Sequence, residues 1–266
     1  MLIDSHCHLD AAEFEADRDA VWAKAHEQGV SMVVVPAVHR ANWPAVQALA
    51  EQHEGVFFAL GIHPLYVNET STDDLQALSR LLTTLRDHPR LVGIGEIGLD
   101  FFVPGLDRGW QQQVFEAQLR LARDLDLPVI LHSRRAVDQV TRALRRFRPA
   151  GGIAHAFNGS SQQATQLIAL KMALGFGGAM TFERARNIRR LASSLPAECL
   201  VLETDAPDIS PAWLHPGRNA PTELPRIAEV LAGLRGWSLL ETARITSDNA
   251  CRVLPRLRES QTHQAW

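Results

Sequence analysis

The sequence predicts an α/β protein built as a single (β/α)8 TIM-like barrel with one extra C-terminal helix. Three observations carry this. Eight short apolar runs, rich in Val, Ile and Leu, alternate with longer stretches of helical spacing. That order suits parallel strands joined by crossover helices. The runs are near-continuously apolar, as expected of strands buried on both faces. The length, 266 residues, is close to the ~250 that such a barrel takes as one unit. A doubly wound open sheet is the alternative, but its Gly-rich phosphate loop after the first strand is missing.

In chain order, the predicted strands are Leu2–Ile3, Met32–Pro36, Val56–Ile62, Leu91–Ile94, Pro128–Leu131, Gly152–Ala154, Lys171–Leu174 and Leu200–Leu202. The first helix is expected over Glu13–Gln28, with Phe14, Val21 and Ala25 at helical intervals. Ala41–Gln52 follows, with Pro44 placed in its first turn, where a missing N–H costs nothing. Asp73–Asp87 carries Leu75, Leu78, Leu82 and Leu85, with Thr72 as the expected N-cap. Trp110–Asp126 has Val114, Ala117, Leu121 and Leu125 on one face. Ala136–Phe147, Ser161–Ala169, Glu183–Ser194 and Thr222–Leu234 complete the alternation. A last helix, Leu239–Arg252, follows with Ser238 as its cap. Nothing reads as a linker, repeat or low-complexity tract, so residues 1–266 form one expected domain, with 259–266 expected to fray.

The composition is ordinary for a globular chain, 46% hydrophobic and 21% charged. A net charge of -3 argues against a broad basic surface for duplex DNA and leaves room for a small phosphate-contacting cleft. The three cysteines, Cys7, Cys199 and Cys251, form no C-x-x-C pair and fit no simple disulfide framework, so they read as buried thiols in a reducing cytoplasm. No apolar run is long enough to span a membrane. The opening MLIDSHCHLD is no secretory signal, and a cytoplasmic location is expected.

In a parallel barrel, function collects where the strands end. His6 and His8 follow the first run in D-S-H-C-H, and His63 follows the third in G-I-H-P. Glu96 ends the fourth in G-I-G-E-I-G-L-D, His132 the fifth in L-H-S-R, His155 the sixth in A-H-A-F, and Asp205 the eighth in L-E-T-D-A-P. Five of the eleven histidines stand at these positions, which scattered surface histidines would not do. His26, His39, His53, His88 and His263 read as ordinary residues. The H-x-H pair can bite one ion, because side chains two apart on a strand point the same way. Imidazole nitrogens with carboxylate oxygens suit Zn, Mn, Fe or Co, and Mg less well. His6, His8, Glu96, His132, His155 and Asp205 are too many donors for one tetrahedral ion and suit two ions sharing a bridging carboxylate. His63 is a third-strand ligand, an orienting neighbour or a substrate contact, the last two being preferred because the other six already fill the set. Arg134 is a candidate phosphate contact, as are Arg218 and Asn219 after the eighth strand. The Arg145–Arg148 and Arg184–Arg190 stretches could grip phosphate but read first as solvated helix faces.

Taken together and in this order, S-H-C-H-L-D, G-I-H-P, G-E-I-G-L-D, L-H-S-R, H-A-F-N-G and E-T-D-A-P resemble the TatD-type metal-dependent deoxyribonucleases of the amidohydrolase superfamily. The resemblance runs from Ile3 to about Leu254. It implies a distorted TIM barrel and a binuclear site. His6, His8 and Asp205 would hold one divalent ion (Mg, Mn or Zn), His132 and His155 the other, with Glu96 bridging and His63 nearby. It implies nuclease activity, including 3′-to-5′ exonucleolysis of single-stranded DNA ends. Ala156 and Asn158 depart from the family's frequent H-C-F-S-G, which bears on the substrate wall and not on the ligand His155.

The expected function is therefore two-metal hydrolysis of phosphodiesters by a deoxyribonuclease acting on DNA ends. Asp205 is expected to guide or accept the proton of the attacking water, Arg134 to offset charge on the phosphate, and Glu203 either to fix the second nitrogen of a ligand histidine or to serve a plain structural role at the eighth strand. A small-molecule hydrolase for an amide, lactone or phosphoester is the alternative. Many such enzymes bridge their metals with a carboxylated lysine, and no Lys stands near the fourth strand. A metal-binding scaffold without turnover is a third reading, disfavoured by the intact ligand set. No membrane or obligate protein partner is implied.

Overall fold

A computed structural model of the chain describes residues 1–258, so the expected fraying of 259–266 lies outside the described residues. Eight parallel strands form one sheet in the order of the chain. They are β1 (Leu2–Asp4), β2 (Val30–Pro36), β3 (Val56–Leu60), β4 (Leu91–Asp100), β5 (Val129–Arg134), β6 (Gly152–Ala154), β7 (Met172–Phe176) and β8 (Leu200–Leu202). The sheet curls into a nearly closed barrel. Its last seam is stitched by Ser5 N–H to Leu202 O and Asp205 N–H to His6 O. Asp4 reinforces it, accepting from the Thr204 N–H at 2.9 Å and the Thr204 hydroxyl at 2.6 Å.

The helices between the strands are α1 (Arg18–Glu27), α2 (Trp43–Gln52), α3 (Thr72–Thr84), α4 (Arg108–Asp124), α5 (Val137–Phe147), α6 (Ser161–Ala169), α7 (Arg186–Ser194) and α8 (Leu224–Arg235). The extra helix α9 (Leu239–Val253) follows, capped by Ser238 as expected. Alternate strand residues divide the core in two. Ile3, Met32, Val34, Phe57, Ile130 and Val201 fill the barrel interior together with Leu254 and Leu257, so α9 and the turn after it cover the end opposite the site. Val33, Phe58, Leu60, Leu131 and Leu174 face outward onto the helices.

Several expected boundaries move, each for a local reason. Ser71, not Thr72, caps α3: its hydroxyl accepts from the Asp74 N–H while Asp74 returns a bond to the Ser71 N–H, a reciprocal box worth about 1 kcal/mol. The single helix expected over Glu13–Gln28 is a 3-10 turn at Ala12–Phe14 followed by α1, because the fully buried Phe14 pulls the chain inward first. α8 and α7 begin at Leu224 and Arg186, behind 3-10 turns at Pro221–Glu223 and Gly178–Thr181. The largest change is β4, which runs six residues past Ile94 to Asp100.

Candidate metal centre

β4 delivers the central carboxylate through a bulge. Ile94 pairs with Val129 and Ile97 with Leu131, so β4 spends one residue more than β5 over that interval. A bulge of this kind re-aims a side chain, and here it aims Glu96 into the barrel mouth. Beyond it, Gly98 sits opposite His132 at φ 153°. A side chain there would run into the His132 carbonyl, so glycine lets the strand continue as far as Asp100.

The structure brings all six expected ligands together, and His63 with them. His6 and His8 lie past the end of β1 rather than on it, yet their Nε2 atoms stand 3.3 Å apart. The two oxygens of Glu96 face different groups. Oε2 is 3.2 Å from His6 Nε2 and 3.4 Å from His8 Nε2. Oε1 is 2.9 Å from His155 Nε2, 3.0 Å from His132 Nδ1 and 3.1 Å from His63 Nε2. Asp205 joins the first group, with Oδ1 3.4 Å from His6 Nε2 and 3.7 Å from His8 Nε2. All of these residues except His6 line a cavity of about 1300 Å3 at the strand C-termini, and His6 is sealed beneath it.

Ring tautomers follow from the other nitrogens. His132 Nε2 lies 3.0 Å from Asp100 Oδ2, so its proton belongs there and Nδ1 is left as the donor atom for a metal. Sequence reasoning missed Asp100, although it closes the motif that contains Glu96. Its carboxylate also accepts the Phe102 and Val103 N–H groups; although burial opposes ionisation, these bonds and His132 hold its pKa down to about 2. His63 differs in kind. Its Nδ1 accepts the Leu65 N–H at 3.1 Å, and burial pushes its pKa down. Neutral His63 therefore carries its proton on Nε2 and presents a donor to the site.

The other charges are set by burial and then by neighbours. Burial drives His6 well below its usual range, with the nearby His155 acting in the same direction. Burial also works against charged His8 and His155, but the Glu96 carboxylate beside them outweighs it and brings them to about 9 and about 10. Glu96 is held well below the carboxylate range despite its burial, by the surrounding histidines. Asp205 is raised by burial.

These residues fit a divalent metal. Four imidazoles, those of His6, His8, His132 and His155, and two carboxylates crowd lone pairs into one buried volume at 2.9–3.7 Å. The His6 Nδ1 and His155 Nδ1 atoms have no hydrogen-bond partner among the described residues. Protons alone satisfy such a set poorly, because facing nitrogens cannot all be donors; a cation between them can bind every lone pair.

Of the remaining expectations, Arg134 lines the cavity. Arg218 does not: it pairs with Asp17 at 2.7 and 2.8 Å and donates to the Glu13 carbonyl, with its guanidinium over the Phe14 ring. Asn219 is fully buried, and its amide is spent on the Thr204, Asp208 and Ile209 carbonyls. Both residues build the β8 loop instead of contacting the cavity. Glu203 does not reach a histidine's second nitrogen either. Its Oε1 accepts the N–H of Ala156, the neighbour of His155, at 2.5 Å.

A barrel with this constellation at its strand ends defines a metal-dependent hydrolase. Residues 3–255 match the family model of the TatD related DNases, and the chain belongs to the TatD family. It is 38% identical over 248 residues to the uncharacterized metal-dependent hydrolase YjjV of Escherichia coli K12, covering 93% of this chain and 95% of that one. The crystal structure of YjjV superposes with a TM-score of 0.92 at 37% identity, over 96% of this chain and 98% of that one. A 3′-5′ ssDNA/RNA exonuclease TatD of Pantoea sp. At-9b is 34% identical over 264 residues, covering 96% of this chain and all of that one.

Proposed function

We propose that the chain is a two-metal phosphodiesterase, a deoxyribonuclease that removes nucleotides from single-stranded DNA ends in the 3′-to-5′ direction. The division of Glu96 between two histidine groups carries the reading. Its Oε2 serves the His6–His8–Asp205 side and its Oε1 the His132–His155 side, as a carboxylate shared by two cations does. His6, His8 and Asp205 would hold one ion, His132 and His155 the other. Bound there, two divalent ions supply Lewis-acid charge to a phosphate and lower the pKa of a water.

The chain's own groups do the rest. Asp205, its carboxyl raised by burial, is suited to take the proton of the attacking water. His63 points its Nε2–H into the site and can donate to a phosphate oxygen. Asp100 locks the His132 ring. Arg134 is stacked 3.7 Å above the centre of the half-exposed Phe102 ring and meets the phosphate at the cavity wall. The relative named as a single-strand exonuclease supports the substrate class. The buried thiols of Cys7, Cys199 and Cys251 are unpaired, which supports a cytoplasmic setting. No helix among the described residues is long and apolar enough to cross a membrane.

The deciding experiment is a substrate panel on metal-reconstituted protein. It compares linear single strands, duplex and closed-circular DNA, RNA, a chromogenic phosphodiester, and simple amides and lactones. Release of mononucleotides from linear single strands is expected, with closed circles untouched and binding of shallow salt dependence, a log–log slope of about -1.5 to -3. Equal cutting of closed circles would sink the end-directed reading. Turnover of amides or lactones alone would replace it with the small-molecule one.

A further inference from the structure

Beside the metal cavity lies a second cleft of about 580 Å3, between the loops that follow β7 and β8. The two share Ala179, Pro207, Asp208 and Ile209 as a common wall, so one extended molecule can occupy both. The far side of the cleft is aromatic. The half-buried Phe182 ring meets the His215 ring edge-on with centroids 5.6 Å apart. The Arg184 guanidinium lies 5.8 Å from the Phe182 centroid and has no carboxylate partner among the described residues.

The cleft is rigidly framed. Thr181 donates to the Gly178 carbonyl at 2.6 Å and accepts the Ala212 N–H at 2.8 Å, tying the β7 loop to the β8 loop. Asn219 holds the Asp208 and Ile209 carbonyls from below. Gly178 packs so closely on the Ile209 carbonyl that no side chain fits between them. Ile209 stays 38% exposed, an apolar ridge between the two spaces.

We propose that this cleft is a nucleotide subsite that takes the residue adjoining the scissile phosphate, its base against Phe182 and His215 and its phosphate on Arg184. The proposal rests on the phosphodiesterase reading. An aromatic face with an unpaired guanidinium is how single strands are held without sequence choice. The Asp208 carboxylate on the shared wall repels an anion, which puts the nucleotide's own phosphate on the Arg184 side and leaves the sugar to cross the ridge.

The test compares wild type with Phe182→Ala, Phe182→Tyr and Arg184→Ala. The substrates are a thymidine tetranucleotide, the same oligomer with an abasic spacer next to the scissile phosphate, and bis(p-nitrophenyl) phosphate. A base stacked on an aromatic ring is worth about 5- to 150-fold in binding. Phe182→Ala should raise KM for the tetranucleotide by a factor in that range. Phe182→Tyr should stay near wild type, and hydrolysis of the chromogen should be unchanged in every variant. In wild type the abasic oligomer should show the same loss, and Phe182→Ala should add nothing to it. An unchanged tetranucleotide KM in Phe182→Ala, or an equal loss on the chromogen, overturns the subsite while leaving the phosphodiesterase intact. Failure of wild type to cleave any oligonucleotide overturns both.

Discussion

A methyl group added at Gly175 probes how tightly β7 and β8 are locked beneath the metal centre. Gly175 pairs with Val201, and Glu203, just past β8, folds its carboxyl over the glycine. A Cβ built at Gly175 overlaps Glu203 Oε2 and lies 2.7 Å from Oε1. Glu203 has nowhere to go: it is 1% exposed, and its Oε1 holds the Ala156 N–H. Overpacking of this kind costs roughly 1–3 kcal/mol. Pushing the carboxyl off the Ala156 N–H adds roughly 1–3 kcal/mol for a buried unpaired donor. Alanine recovers roughly 0.5–1 kcal/mol over glycine inside a strand. The net cost of Gly175→Ala is about 1–5 kcal/mol, or about 2–20 °C in Tm for a chain of this size. Thermal and urea unfolding of chelator-treated protein measures it. Glu203→Ala empties the contested space, so the double variant should lose at least about 1 kcal/mol less than the two singles added together. A Tm within about 2 °C of wild type for Gly175→Ala, or strict additivity in the cycle, refutes the wedge.

Further outcomes are expected of the site itself. If Glu96 bridges two metals as proposed, Glu96→Gln should lower turnover by at least about 100-fold while the far-UV spectrum stays native; two tightly held ions per chain by elemental analysis would show that Glu96 is no bridge. Asp100→Ala should free the His132 ring and weaken metal affinity about 10- to 100-fold, read from activity against free metal concentration; an unchanged curve removes Asp100 from the centre. Burial first, then the charges of Asp205 and Asp4, lift the Glu203 pKa from 4.5 to about 8. The folded chain thus keeps a proton that the unfolded chain loses, and wild type forfeits stability as pH rises between those values. Glu203→Gln should therefore gain stability over wild type from pH 4.5 to 8, with the gap constant above and closed below; a pH-independent gap means that the carboxyl is ionised in the fold.

What could be read in advance follows the range of each interaction. The strands were legible because burial on both faces writes itself into consecutive residues, as in Val33–Val35 and Phe57–Leu60. The cluster of candidate ligands was legible because each residue is tied to the end of such a run. Asp100 was missed because the strand appeared to stop at Ile94; the bulge at Glu96 and the close approach at Gly98 keep it going, and neither has a periodic signature. Arg218 and Asn219 stand away from the cavity, and the sequence hid this for the opposite reason. A polar pair in a loop looks available until its partners are known, and those of Arg218 lie 201 and 205 positions back in the chain. Thr72 and Ser71 are chemically equivalent caps, and only the position of Asp74, three residues after Ser71, decides between them.

The stitch between Thr204 and Asp4 joins residues 200 positions apart, and the same seam sets Asp205 against His6 and His8. On the ribosome, the H-x-H pair emerges before Asp205 by about 10–40 s, at 5–20 residues per second. Through all that time the growing chain lacks one of the two carboxylates of the candidate centre. On the proposed reading, hydrolytic competence arrives only with β8, because a product that ends before it lacks Asp205 and the seam that seats it.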